Sequence, residues 1–168
     1  MRKTEYRALF EGWCSRHKEL QENGCKFSEL HLSRNPMQQE LDMSEFYGNL
    51  RYATEMQAVL QNYDADYEGQ SFDDMSRYLH GALIILDKVD TDDWAQRNEA
   101  LDKTERMAEE ILAAVVKQLN ESYDYFITPS DLQTEDIGPV NGYHGTRLSF
   151  RIKQQATPSL HFNPDLFE

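Results

Sequence analysis

The chain has 168 residues, with 17 lysines and arginines against 30 aspartates and glutamates, and its formal net charge is −13. This length fits one domain. The negative charge excludes non-specific electrostatic binding of nucleic-acid phosphates by the whole protein surface. The longest apolar stretch, residues 81–86, is far shorter than the roughly 20 residues of a membrane helix. The charged start lacks the apolar segment of a secretory signal, so we expect a cytoplasmic protein with free thiols at Cys14 and Cys25.

The first third of the chain predicts one helix and one strand, followed by a segment without a clear period. Apolar side chains recur every three or four residues over residues 1–22, up to the helix stop signal Asn23-Gly24. Alternation over residues 25–32 predicts a first strand. Residues 36–53 follow neither period, and we expect an irregular connection or one short helix there.

Two strands are predicted in the middle of the chain. Residues 76–88 are apolar on both faces, as in a central strand that is covered on both sides. Residues 55–68 alternate, and a polar turn over residues 69–75 joins the two segments into an antiparallel hairpin. The alternation predicts one face with Val59, Tyr63, Ala65 and Tyr67 and a second face with Asn62, Asp64, Asp66 and Glu68.

A long helix is predicted from residue 92 to residue 120. The aspartates and the threonine of residues 90–93 supply capping side chains, and their negative charge suits the positive end of the helix dipole. The predicted apolar stripe of this helix consists of Trp94, Leu101, Ala108, Ile111, Leu112, Val115 and Leu119.

The last third predicts a short strand over residues 123–128, a loop over residues 131–142 and a final strand over residues 144–153. The loop contains the turn signals Gly138-Pro139 and Asn141-Gly142. The final strand alternates throughout, so we expect one packed face and one basic face. Its two sets are Thr146, Leu148, Phe150 and Ile152 against Arg147, Ser149, Arg151 and Lys153.

These elements predict a single α+β domain over residues 1–153. We expect an antiparallel sheet of about five strands, packed against a long central helix and an N-terminal helix. Residues 154–168 are predicted to form an extended C-terminal tail, whose apolar side chains are available to a neighbouring molecule.

The sequence offers no recognisable catalytic or metal-binding pattern. The five histidines lie in different predicted elements without zinc-ligand spacing. Residues 64–69 begin like a calcium loop, but Met75 stands at the position that requires a glutamate. A cysteine nucleophile needs a histidine and a third residue that orients it, and the sequence identifies no such third residue for Cys14 or Cys25. The sequence also contains neither a nucleophile elbow nor a phosphate-binding loop. We therefore expect a protein that is not an enzyme, with no catalytic residue, metal or cofactor.

The negative charge is concentrated in the middle of the chain. Residues 37–110 contain 6 basic and 18 acidic side chains, so this segment alone has a charge of −12. One interpretation is a solvated face that keeps the protein soluble. Another is a surface that contacts a basic partner, or one that lines a passage through which DNA slides without sticking.

The order of elements between Arg51 and Lys153 resembles a group of small prophage-encoded proteins, the tail-terminator and tail-completion (neck) proteins. The resemblance rests on the hairpin over residues 56–86 and on the capped helix over residues 92–120. It also rests on the segment Thr134-Glu135-Asp136-Ile137-Gly138-Pro139, which leads to Gly142-Tyr143-His144-Gly145 and then to Leu148-Ser149-Phe150.

This resemblance implies a non-enzymatic structural protein of the phage tail or the head-tail junction. Such a protein assembles into a ring with copies of itself and contacts other virion proteins. The resemblance implies no cofactor, no sequence-specific binding of nucleic acid and no contact with a membrane. It also implies a cytoplasmic location in the bacterial host, and a place in the virion if the phage is active.

Two surfaces of this chain are candidates for such an assembly. A ring through which DNA passes needs acidic or neutral walls, and the predicted acidic surface consists of Asp64, Asp66, Glu68, Asp73 and Asp74. A basic strand face can meet the acidic segment of the next subunit in a head-to-tail contact. The predicted interface residues are Arg147, Arg151 and Lys153, together with Leu160, Phe162 and Phe167 of the tail.

The alternative hypothesis is an acidic interaction protein that binds a basic partner by imitating DNA. The −12 charge of residues 37–110 is the observation that favours it. The two hypotheses differ in salt dependence, because binding through charge weakens steeply with salt and packing through apolar surface does not.

Overall fold

The computed structural model describes residues 1–71, 74–89, 93–122 and 124–156. Eleven elements follow one another along the chain. They are α1 (Lys3–Cys14), α2 (Lys18–Glu22), β1 (Lys26–Leu30), α3 (Pro36–Leu50), β2 (Gln57–Ser71), β3 (Asp74–Lys88), α4 (Trp94–Ser122), β4 (Tyr125–Phe126), a 3-10 turn (Pro129–Asp131), β5 (Gln133–Val140) and β6 (Tyr143–Gln155).

The strands form one six-stranded sheet in the order β1, β2, β3, β6, with β4 and β5 both paired to the outer edge of β6. The predicted α+β fold is confirmed, including the β2–β3 hairpin, the long helix and the N-terminal helix. The sheet is mixed, because β1 pairs parallel to β2 while every other pair is antiparallel. Parallel neighbours need a crossover connection, and α3 provides it.

Helices α1 and α4 cover one face of the sheet, here called the helix face. An aromatic cluster anchors α1: the ring of Phe10 stacks on that of Phe150 at 5.1 Å, and Tyr6 meets Tyr63 edge to face at 5.1 Å. Tyr6 and Phe10 are fully buried. The predicted apolar face of the last strand contributes to the same core, since Leu148, Phe150 and Ile152 are buried there.

Helix α3 covers one end of the opposite face, here called the α3 face. Its last residue, Leu50, packs with Leu30, Val59, Ile84 and Leu86 in a second, smaller core. Asn35 begins the helix, because its side-chain oxygen accepts a hydrogen bond from the N–H of Met37, and Pro36 occupies the first turn. Of the two alternatives predicted for residues 36–53, the helix is the correct one, and it has 15 residues.

The single helix predicted over residues 1–22 is wrong, because the chain breaks into α1 and α2 at residues 15–17. His17 lies at the break and caps α2, since its Nδ1 accepts a hydrogen bond from the N–H of Leu20. The break lets Leu20 turn into the core, where it is 1 % exposed. A continuous helix satisfies the same apolar spacing, which is why periodicity alone missed the capped break.

The predicted faces of β2 are correct only beyond a β-bulge. Gln61 pairs with Ala82 and Asp64 pairs with His80, so two residues of β2 oppose one residue of β3. The extra residue reverses the alternation. Val59 therefore packs in the α3 core and Tyr63 in the helix-face core, although the two were predicted on the same face.

Two further predictions fail in the second half of the chain. Trp94 was placed in the apolar stripe of the long helix, but its side chain is 72 % exposed, while Ala108, Ile111, Leu112, Val115 and Leu119 are buried as predicted. The predicted loop over residues 131–142 is in large part the strand β5. Gly138-Pro139 lies inside this strand, which is possible because β5 is at the edge of the sheet.

The predicted turn at Asn141-Gly142 is confirmed. Both residues have positive φ, 51° and 79°, as a two-residue turn between β5 and β6 requires. Strand β6 then continues two residues beyond the predicted boundary at 153, and the N–H of Ala156 donates to the carbonyl of Met75 at 2.8 Å. The rest of the predicted tail, residues 157–168, and the predicted cap residues 90–92 lie outside the described residues.

We expect protonation of Glu55 at low pH to destabilise the fold. Glu55 precedes β2, and its carboxylate contacts Lys26 of β1. The carboxylate accepts from Lys26 Nζ at 2.9 Å and from the Thr54 N–H at 3.2 Å, and the Lys26 bond is the largest cause that lowers its pKa to about 2. A lowered pKa means that this stabilisation is complete above the ordinary pKa of about 4.5 and is lost as the pH falls towards about 2.

The expected result is a fall in the urea midpoint of the wild-type protein between about pH 5 and about pH 2.5, and a smaller fall in Glu55→Gln. Glu40→Gln, at an exposed glutamate of α3, serves as the control and should follow the wild type. Identical pH profiles for Glu55→Gln and the wild type would contradict the role of the Lys26 contact.

Candidate functional site

The end of the α3 face that α3 leaves uncovered carries polar and charged side chains. Strand alternation presents Asp64 and Asp66 of β2, Tyr78 and His80 of β3, and Arg151 of β6 on this surface, here called the open face. The predicted division of the last strand is confirmed. Its apolar set is buried against the helices, while Arg147, Ser149 and Arg151 are half-buried and Lys153 is exposed.

The predicted acidic surface is neutralised in part by groups of the same chain. Arg34 lies between two carboxylates, 3.4 Å from Asp64 and 3.1 Å from Asp66, and His80 Nε2 is 3.3 Å from Asp66. The side chains of Asp64 and Asp66 remain about half exposed. Glu68 and Asp74 are exposed as well, and Asp73 lies outside the described residues.

The predicted basic interface residues also have partners within the chain. Arg147 donates to Gln61 Oε1 at 2.9 Å and lies 3.4 Å from Glu135. Arg151 lies 2.9 Å from Asp131 and 4.6 Å above the ring of Tyr78. Lys153 Nζ is 5.8 Å from the centre of the same ring. The remaining interface predictions, Leu160, Phe162 and Phe167, lie outside the described residues.

Asp131 holds Arg151 firmly in place. The Thr128 hydroxyl donates to its carboxylate and, with Arg151, lowers the pKa of Asp131. The carboxylate is therefore charged throughout the neutral range. Its side chain is only 13 % exposed, so this pair is better shielded from water than the other ion pairs of the open face.

The acidic and basic strand residues thus lie on the same face of the sheet. One strand, β3, separates β2 from β6, so the two sets are about 10 Å apart at a strand spacing of about 4.8 Å. The open face is a mixed-charge surface and not a wall of one sign. Apart from the shielded Arg151–Asp131 pair, the ion pairs of this face are exposed and contribute little to stability, so a partner molecule can replace them at small cost.

Two grooves meet at the edge of the sheet formed by β5. The first lies on the open face, has a volume of about 440 Å³ and carries Arg147, Arg151 and His80 on its wall. The second lies between α4 and β5 on the helix face and has a volume of about 480 Å³. Its apolar wall consists of Leu112, Ala113, Val116, Leu132 and Leu148.

Leu132 and Gln133 line both grooves, so the charged groove and the apolar groove adjoin each other. Sequence reasoning missed this pair of grooves because it treated residues 131–142 as a loop. The strand β5 forms the wall between them. A signal was present, since an Asn-Gly pair typically joins two strands of a hairpin and Asn141-Gly142 directly precedes the regular alternation of residues 144–153.

A second apolar surface lies on the outer side of α3. Met37 and Leu41 are one helical turn apart and are 79 % and 63 % exposed. Tyr52, just beyond the end of α3, is 83 % exposed. Because α3 and α4 lie on opposite faces of the sheet, this surface and the apolar groove point in different directions.

His17 and Glu110 form the closest histidine–carboxylate pair of the described chain, with 2.8 Å between Nε2 and the carboxylate. Nδ1 already accepts from the N–H of Leu20, so the ring proton is on Nε2 and is donated to Glu110. Glu110 also binds Arg106, which contacts Glu19 of α2. Both ring nitrogens are occupied, and the network ties α2 to α4.

The two thiols are poor nucleophiles. Burial raises the pKa of both Cys14 and Cys25 to about 12, and both are free thiols. At neutral pH the thiolate fraction is then about a thousandfold below that of an ordinary cysteine. We expect neither thiol to react with a neutral-pH alkylating reagent in the folded protein and both to react in denaturant. Rapid alkylation of either cysteine in the native protein would contradict this expectation.

Within residues 1–71, 74–89, 93–122 and 124–156, no three histidine, cysteine or carboxylate side chains form a group that could hold a metal ion. The same part of the chain contains no helix with the length and apolar character needed to cross a membrane. The chain matches no protein-family model, and no curated protein matches it at a significant level.

Proposed function

We propose that this chain is a non-enzymatic structural protein that assembles with copies of itself into a closed ring, at the tail or the head-tail junction of a phage particle. The observation that carries the proposal is the pair of exposed apolar surfaces on opposite faces of the sheet. One is the outer side of α3 with Met37 and Leu41, and the other is the groove between α4 and β5.

Two different surfaces favour a head-to-tail contact over a symmetric dimer. In a head-to-tail arrangement the two surfaces of a subunit face two different neighbours, and the chain of contacts closes into a ring if the rotation allows. A symmetric dimer uses the same patch twice and leaves the second patch in water. Met37 and Leu41 of α3 and the apolar wall of the groove both offer apolar contacts to a neighbouring subunit.

The phage setting comes from the resemblance of residues 51–153 to tail-terminator and tail-completion proteins. The charge of −13 supports it, because a ring that lets DNA pass must not hold its phosphates. The mixed-charge open face is compatible with the same role, since Arg147 and Arg151 are neutralised by Glu135 and Asp131. In this setting the protein is cytoplasmic in the host and becomes part of the virion on assembly.

Electron microscopy of the purified full chain tests the proposal. We expect rings of uniform diameter, and we expect single subunits from the double variant Met37→Asp/Leu41→Asp. Trp94→Asp is the matched control, because it removes another exposed apolar side chain outside both surfaces, and it should keep the rings. Single subunits of the wild-type chain would contradict the proposal.

A different result would favour the acidic interaction protein. In that case the full chain is a single subunit that binds polylysine, and the affinity falls steeply as salt is raised from about 0.05 M to about 0.5 M. A ring-forming protein should show no such steep loss of its own assembly, because apolar contacts are not screened by salt.

A further inference from the structure

The apolar groove between α4 and β5 adjoins a strand edge that the described chain leaves without a strand partner. Within the described residues β5 pairs only with β6, so its other edge is available for pairing. Gln133 to Asp136 are exposed along this edge. An added strand here gains main-chain hydrogen bonds, and its side chains on one face reach the groove.

The chain itself contains a segment with the composition of such a strand. Between Pro158 and Pro164 the sequence Ser-Leu-His-Phe-Asn alternates between polar and apolar residues, so an extended strand of this sequence would present Leu160 and Phe162 on one face. The two prolines limit the pairing segment to residues 159–163, because proline has no N–H to donate. Asp165 and Glu168 follow.

The apolar groove matches this segment on the helix face of the edge. Its wall of Leu112, Val116 and Leu148 is apolar and suits Leu160 and Phe162. On the open face Arg147 and Arg151 already have partners in the same chain, so the apolar groove is the feature that selects the segment.

The described end of the chain makes a neighbouring copy the better source of the segment. The N–H of Ala156 is bonded to Met75 of β3, so the chain still follows the sheet at its last described residue. Strand β4 pairs with Lys153 and Gln154 on the β5 side of β6. A segment that returned to β5 within one chain would have to reverse and pass over β4.

We propose that residues 159–163 of one copy pair with the outer edge of β5 in the next copy, with Leu160 and Phe162 in the groove beside Ala113 and Val116. This inference rests on the proposed ring, because it adds the segment of one copy to the head-to-tail contact with the next copy. Each subunit donates one segment and receives one, which is the head-to-tail arrangement that closes.

Complementation between two full-length variants tests the contact. Ala113→Glu places a charge in the groove at an exposed helix position, and Leu160→Asp/Phe162→Asp removes the apolar face of the segment. Ala95→Glu adds the same charge to an exposed position of α4 outside the groove and is the matched control. The mass of each protein is measured by light scattering behind a sizing column.

We expect the wild-type mass for Ala95→Glu and the mass of one subunit for each of the other two variants. Mixed in equal amounts, those two should form a 1:1 dimer, because one supplies an intact segment and the other an intact groove. Wild-type mass in both variants, or no dimer on mixing, would overturn the inference while leaving the ring in place. A wild-type chain of single-subunit mass would overturn the ring as well.

Discussion

Replacing Phe10 with alanine is expected to lower the free energy of unfolding by about 3–5 kcal/mol. The ring is fully buried, stacks on Phe150 with an angle of 11° between the planes and lies 5.1 Å from Tyr6. Its removal leaves a cavity between α1 and the sheet, which the neighbouring rings cannot fill without leaving their rotamers. Urea unfolding followed by circular dichroism measures the loss.

Leu9→Ala is the matched comparison, since Leu9 precedes Phe10 on α1 but is only partly buried. It should lose clearly less stability than Phe10→Ala. A loss below about 1 kcal/mol for Phe10→Ala would show that α1 does not pack on the sheet through this ring.

Gly81→Ala is the second substitution with a large expected effect, a loss of about 1–3 kcal/mol from overpacking. A Cβ atom at this position would lie 2.2 Å from the Tyr6 hydroxyl oxygen and 3.1 Å from Phe150 Cε2. The hydroxyl cannot easily move away, because it donates a hydrogen bond to the carbonyl of Gln61 at 3.0 Å. Gly81 lies opposite the bulge of β2, so the glycine makes room for the tyrosine.

A double-mutant cycle separates this clash from a general effect of glycine replacement. Tyr6→Phe alone should cost about 0.5–1.5 kcal/mol through the lost hydrogen bond. The double variant Tyr6→Phe/Gly81→Ala should be more stable than the sum of the single losses, because the clashing oxygen is gone. Gly48→Ala in α3, where a Cβ would meet no atom within 4 Å, is expected to raise stability by about 0.5–1 kcal/mol. Additive losses in the cycle would contradict the close approach of Tyr6 to Gly81.

The sequence pattern predicted the elements whose periodicity is regular. The even alternation of residues 144–153 identified both faces of β6, and the apolar segment 76–88 identified β3 as a central strand. In these elements the side-chain period follows directly from the backbone geometry, so a pattern in one dimension fixes the buried face.

The sequence pattern failed where a β-bulge changes the side-chain period and where a strand depends on pairing with a strand that is distant in sequence. The bulge at residues 61–64 reverses the faces of β2, and nothing in the flanking composition marks it. Strand β5 contains glycine and proline. They are tolerated because β5 is an edge strand that pairs, within the described residues, only with β6. The parallel pairing of β1 depends on the crossover through α3, a long-range contact that local patterns do not encode.

The same failures hid part of the candidate site. The basic residues of β6 were predicted, because they follow a regular alternation. Their partners were not, since Gln61 lies next to the bulge and Asp131 and Glu135 lie in the segment that was predicted to be a loop. The grooves at β5 depend on the same segment. The basic side of the open face could thus be predicted from the alternation of β6 alone. The grooves at β5 could be identified only from the three-dimensional structure.

The most direct test of the central claim, assembly into a closed ring, is the solution mass of the full chain. We would measure it by light scattering behind a sizing column over a tenfold range of concentration and from low to high salt. The account predicts one fixed multiple of the subunit mass at all concentrations above the assembly threshold, preserved at about 1 M salt because apolar contacts are not screened. A single-subunit mass under every condition would contradict it.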